Sequence, residues 1–136
     1  MARHFTPEEA NLLLPRVEPL LRGLVEHRRA LREQQETLAA FQAKARGNGG
    51  VSRGPRVLAA RQAVDRLTAQ IRQGLEEVQA LGCVVKDLDM GLVDFPSIRN
   101  GVEVYLCYRL GEDRIAFWHG TDEGFSGRKP LADEPE

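Results

Sequence analysis

Residues 55–82 read PRVLAARQAVDRLTAQIRQGLEEVQALG, and the fold follows from how this stretch is paired. Val57, Val64, Ile71 and Val78 recur every seven residues, with Ala60, Leu67, Gly74 and Leu81 interleaved. That spacing lays an apolar stripe along one side of an α-helix, in the a/d pattern of a coiled-coil seam. Pro55 suits the first helical turn, where its missing N–H has no partner to lose, and Gly82 suits a left-handed stop.

A matching tract lies upstream. Val17, Leu24, Leu31 and Leu38 form one row, and Leu20, His27, Gln34 and Phe41 the other, with His27 and Gln34 as polar members at the edge of the seam or as register-setting residues. Residues 46–54, RGNGGVSRG, join the two tracts through a glycine-rich connection. Two such tracts and a short connection predict an antiparallel helical hairpin over residues 5–81, with rods of roughly 40 Å. At its start Thr6 and Glu9 have capping-box spacing and Pro7 sits at the first helical position. Pro15 and Pro19 each delete a backbone donor, so a short helix over 7–14, a kink or break at Pro15 and a long helix to about Arg46 are expected.

After Gly82 the period changes to two. Cys83–Leu88 and Leu92–Phe95 read as short strands, the second ended by Pro96, and Asn100-Gly101 as a tight turn. Val102 to Leu110 is the clearest strand: Val102, Val104, Leu106, Tyr108 and Leu110 alternate with Glu103, Tyr105, Cys107 and Arg109. Ile115–His119 pairs back on it. Residues 82–131 thus predict an antiparallel meander of three or four strands with a C-terminal loop. The fold class is α+β in a single domain, 1–131, and residues 132–136 read as a disordered tail.

Composition narrows the function. The 19 basic and 20 acidic side chains leave a net charge of -1, which argues against a nucleic-acid surface. Arg28, Arg29 and Arg32 are interspersed with Glu26, Glu33 and Glu36, as on a solvated helix face. No apolar run reaches the length of a membrane span, and the first residues lack the apolar core of a signal peptide, so the expected location is the cytoplasm. There Cys83 and Cys107 stay reduced, as two small buried side chains, although a disulfide between them is geometrically open. Two helices bury only a narrow stripe, so a second copy of the chain is the expected cover: a homo-oligomer, with a further protein partner as an option.

No phosphate loop, dinucleotide fingerprint or paired-cysteine zinc motif is present, and no cofactor is called for by motif. One constellation stands apart. Trp118-His119 ends the last strand and opens into Gly120-Thr121-Asp122-Glu123-Gly124-Phe125-Ser126-Gly127-Arg128, a glycine-punctuated loop rich in titratable groups. His119 has the chemistry of an acid, base or ligand, Asp122 and Glu123 add carboxylates, and Arg128 suits an anion. Asp94 interrupts the apolar run Leu92–Phe95, so it must be paired, exposed on the far face, or used. His119, Asp94, Asp122, Glu123 and Arg128 are the candidates for acid–base chemistry; His119, Asp94, Asp87 and Glu123 are those for a divalent metal. Beside these stand structural readings, which rank first: His119 as a bonded strand-end residue, Asp122 and Glu123 as turn formers, Asp94 paired with Lys86 or Arg109, and Trp118 and Phe125 packing the sheet on the helices.

The chain also resembles the family catalogued as domain of unknown function 2203. The likeness rests on Phe5-Thr6, Glu8-Glu9-Ala10-Asn11 and Leu13-Leu14-Pro15, on Gly82-Cys83, Lys86-Asp87-Leu88 and Gly91–Pro96, and on Leu106-Cys107, Trp118-His119, Gly124-Phe125 and Gly127-Arg128. It extends to about Leu131, with no motif between Gln34 and Arg56. The resemblance implies a bacterial cytoplasmic protein and assigns no activity. It draws the eye to Asp87, Asp94, His119 and Arg128. Two functions follow as expectations: an oligomerising or partner-binding helical scaffold with a β cap, or a small metal-dependent or acid–base enzyme centred on Asp94 and His119.

Overall fold

The computed structural model describes residues 3–47 and 54–131; the centre of the glycine-rich connection and the C-terminal tail, 132–136, lie outside the described residues. Two helices, α1 (Pro7–Gly47) and α2 (Pro55–Ala80), pack as an antiparallel hairpin. A five-stranded antiparallel sheet follows: β1 (Val84–Asp87), β2 (Leu92–Arg99), β3 (Val102–Arg109), β4 (Phe117–Gly120) and β5 (Lys129–Pro130), in that spatial order. A one-turn 3-10 helix, Phe125–Gly127, sits between the last two strands.

The capping box forms as spaced. The Thr6 amide donates to Glu9 Oε1 at 2.9 Å and the Glu9 amide donates to Thr6 Oγ1 at 3.1 Å. No break occurs at Pro15: α1 is one continuous helix with Pro15 and Pro19 inside it. Both prolines face solvent, while Leu14, Val17, Leu21 and Leu24 of the same turns are buried. Each interior proline costs about 3 kcal/mol, and burying four such side chains returns roughly 1.5–3 kcal/mol apiece. In α1 the buried row beside Val17 and Leu24 is Ala10, Leu14 and Leu21, whereas Leu20, His27, Gln34 and Phe41 are half-buried at its edge. In α2, Val57, Ala60, Leu67, Ile71 and Val78 are buried as spaced. Gly74 lets the helices close: a Cβ there would lie 2.6 Å from Leu24 Cδ2.

The hairpin exits through Gly82 (φ 98°), whose amide donates to the Gln79 carbonyl at 2.9 Å. Sheet residues Val93, Phe95, Leu106 and Tyr108 then join Leu14, Val17, Leu21 and Val78 in one core, sealed by Phe5 edge-on to Phe95 at 5.5 Å. Arg28 and Arg32 reach Asp89 in the β1–β2 turn, so part of the basic run ties the hairpin to the sheet.

Most strand limits move by a residue or so, and the end of β2 and the start of β4 differ most from expectation. Pro96 lies inside β2 instead of ending it. Its carbonyl accepts from the Phe5 amide at 2.7 Å, away from β3. A residue's N–H and C=O face the same edge, so the missing donor points past the end of β1 and removes no bond to β3. Ile115 precedes β4 because its amide donates to Asn11 Oδ1 of α1 at 2.8 Å. The added strand, β5, is only two residues long.

Candidate functional site

Register decides what the sheet's second face carries. Val93 pairs with Tyr108 and Phe95 with Leu106, which in turn pairs with Trp118; all of these face the helices. Side chains alternate across a strand, so the residues between them face the other way. There Asp94 on β2 stands opposite Cys107 on β3, and His119 on β4 stands opposite Tyr105, diagonal to Cys107. Three adjacent strands each contribute one polar, metal-competent side chain to one spot. All three are buried: Asp94 is 1%, Cys107 1% and His119 3% exposed.

The loop after β4 supplies the cover. Arg128 donates to both carboxylate oxygens of Glu112 at 2.8 and 2.9 Å and to the Cys107 carbonyl at 3.1 Å, and its guanidinium lies over Phe117 and Phe125. Burial opposes ionisation of Glu112, yet the bonds from Arg128 and the Arg109 amide hold it below the usual carboxylate range. Glu123 accepts from the Gly120 amide and from Lys129 Nζ, both at 2.8 Å, and is also held low. Phe125 is thereby pinned over the far face of the sheet. Beneath it lies a cavity of about 120 Å³, lined by Lys86, Asp94, Tyr105, Cys107, His119 and Phe125 among others.

Inside, His119 Nδ1 lies 2.8 Å from the Gly120 carbonyl. A carbonyl only accepts, so Nδ1 carries the hydrogen and Nε2 is the nitrogen turned to Asp94. Nε2 is 3.1 Å from each carboxylate oxygen; the hydrogen bond runs to Oδ1, and Oδ2 is buried with no hydrogen-bond partner. Without a cation, one proton must be shared between Nε2 and the carboxylate. Burial pushes the Asp94 carboxyl upward, opposed by His119, Lys86 and the Cys107 thiol. Burial and the Asp94 charge push the Cys107 thiol up to about 11, with Arg128 acting the other way.

The Asp94 oxygens, Cys107 Sγ and the His119 ring nitrogens include one ligand atom apiece that lie within 4.8 Å of one another. Tetrahedral zinc with protein bonds of 2.0–2.3 Å has ligand–ligand edges of about 3.3–3.7 Å, so the 3.1 Å edge between Asp94 and His119 would open slightly and any edge to Cys107 Sγ near the 4.8 Å limit would close. The Gly120 carbonyl fixes the imidazole tautomer as the outer partner of a metal-bound histidine does.

Of the candidates read from sequence, Asp94 and His119 are brought together, and Glu123 lines the same cavity with its carboxylate engaged. Asp94 meets His119 instead of pairing with Arg109, while Lys86 stands near enough to act on its charge. The others are not part of the buried cluster, although Arg128 touches the Cys107 carbonyl from the loop. Asp87 Oδ1 accepts from the Asp89 and Met90 amides, forming the β1–β2 turn. Asp122 is exposed and outside the cavity lining, and Arg128 braces the loop through Glu112. Trp118 packs towards the helices as expected, but Phe125 covers the opposite face. From sequence Cys107 reads as a small buried side chain or one half of a disulfide with Cys83; its place opposite Asp94 follows from strand register. Both cysteines are free thiols. A larger concavity of about 1230 Å³ is an open groove beside the start of α1, and it includes none of Asp94, Cys107 or His119.

No curated protein and no solved structure matches the chain. A family model described as an uncharacterized conserved protein matches residues 3–131. The chain belongs to that family, DUF2203.

Proposed function

We propose that the protein is a small metal-dependent enzyme in which Asp94, Cys107 and His119 hold one divalent cation of zinc type. The observation that carries this reading is the buried triangle of carboxylate, thiol and imidazole, with Asp94 Oδ2 left without a hydrogen-bond partner. Buried acceptors without a hydrogen bond are rare and costly, and Oδ2 here has only the close approach of His119 Nε2 at 3.1 Å. A cation would satisfy Oδ2, replace the proton shared by Asp94 and His119, and reverse the effect of burial on the Cys107 thiol. Three protein ligands beside a cavity correspond to an open coordination position, whereas structural zinc sites close with four. A cation held there supplies Lewis acidity to a ligand in the cavity. The chain's own part is to fix the ligands on three hydrogen-bonded strands and to exclude bulk water with the Phe125 loop.

The test is elemental analysis of untagged protein together with cobalt(II) titration. One equivalent of metal per chain is expected, with a near-ultraviolet thiolate-to-cobalt band that Cys107→Ser abolishes. Metal-free protein that takes up cobalt without a thiolate band would defeat the reading.

The scaffold reading is carried by a different observation. Leu38 and Phe41 of α1 remain half-buried, and Leu58 of α2 is 57% exposed. A second copy laid along this part of the hairpin would cover them, giving a homodimer. Light scattering at micromolar concentration that finds only monomer removes this reading without touching the metal site.

A further inference from the structure

We infer that the cavity beside Asp94, Cys107 and His119 binds a small carboxylate, held between the metal position and the Lys86 ammonium. The inference rests on the metal reading above and names the class of ligand that site would take.

Size sets the first limit. Sites for drug-sized ligands run to roughly 300–1,000 Å³. At about 120 Å³ this cavity takes a few heavy atoms: a small molecule, or the end group of a longer one. Its walls divide by chemistry. Leu92, Tyr105 and Phe125 supply apolar surface, while Lys86 and Thr121 supply donors.

Charge sets the second limit. A dication with ionised Asp94 and Cys107 and a neutral imidazole sums to zero. Glu123 is offset by Lys129 at 2.8 Å. Lys86 remains. Its ammonium lies 4.7 Å above the Tyr105 ring, and among the described residues no carboxylate lies within ion-pair distance of it. The loaded cavity therefore carries a surplus positive charge with an ammonium at its edge. An anionic ligand satisfies both, with one oxygen towards the cation and the other towards Lys86.

Donor number sets the third. Phosphate sites use several converging donors, commonly a nest of backbone amides. The Gly120 amide beside this cavity is already given to Glu123. One ammonium and the Thr121 hydroxyl suit a planar monoanion with two oxygens better than a tetrahedral dianion.

The experiment uses full-length cobalt(II)-loaded protein with sodium acetate as the probe, and acetamide and inorganic phosphate as comparisons. Acetate is expected to shift the visible cobalt spectrum saturably, with phosphate and acetamide weaker. Lys86→Gln, a change at an exposed residue, is expected to weaken acetate about tenfold or more, as loss of a charge-assisted bond does, while its thiolate band stays unchanged; Lys86→Arg should recover most of the loss. A normal thiolate band that acetate leaves unmoved overturns this inference alone. So does acetate binding that Lys86→Gln leaves intact, or phosphate binding tighter than acetate. Absence of any thiolate band overturns the metal reading, and this inference with it.

Discussion

The two faces of the sheet each bury residues at their centre, and what they bury is chemically opposite. Towards the helices, Val93, Phe95, Leu106 and Tyr108 are at most 2% exposed and meet apolar side chains. One residue along each strand, Asp94, Cys107 and His119 are as deeply buried under the Phe125 loop. The first face needs no explanation beyond the hydrophobic effect. The second works against it, because a buried carboxylate costs several kcal/mol that a single imidazole only partly returns. Apolar residues would fill that space at lower cost. The difference teaches where folding stops accounting for the sequence.

The largest effect should come from the helix-facing side. Phe95→Ala removes a fully buried ring that also seals Phe5, and should cost about 3–5 kcal/mol in urea unfolding. A loss under 1 kcal/mol would mean that this face is not the core. The opposite sign is expected next. Replacing the polar pair together, Asp94→Leu with His119→Phe, should leave the metal-free protein at least as stable, with a gain of up to about 1–4 kcal/mol, while abolishing cobalt uptake. Were the double variant to unfold as readily as Phe95→Ala, the pair would be part of the scaffold and the contrast between the faces would fail.

How much of this was legible beforehand divides along similar lines. Seven-residue spacing is local, so both helices could be read from Val17–Leu38 and Val57–Val78. Pro15 and Pro19 misled because their cost is local while the burial of Leu14 and Leu21 that outweighs it is tertiary. Pro96 misled because its effect depends on which edge its nitrogen faces, and β5 is too short to carry a period. In the site, Asp94 and His119 were visible as polar residues in apolar strands. Cys107 was not, because a thiol passes for a small apolar side chain until register sets it opposite Asp94. Asp87 and Arg128 drew attention through their charge, which the β1–β2 turn and Glu112 absorb.

The smallest expected effect uses the two thiols to compare the faces directly. Burial pushes Cys83, on the helix-facing side, from 9.0 to about 12, with Arg3 opposing weakly. Cys107 stops at about 11, beside Arg128. The sign follows from linkage. A thiol whose folded pKa is raised favours the native state while both forms are protonated, and that contribution drains away as pH climbs from the unfolded value towards the folded one. For Cys83 the window is therefore pH 9 to 12, and by pH 10 the loss is on the order of 1 kcal/mol. Other groups, Tyr108 among them, also titrate at alkaline pH, so the informative quantity is the difference between the parent chain and Cys83→Ala. That difference should be flat from pH 6 to 8.5 and should move against the parent by on the order of 1 kcal/mol at pH 10. Parallel curves across the whole range would show that Cys83 is wetted in solution, and that the helix-facing side is less dry than the side carrying Asp94.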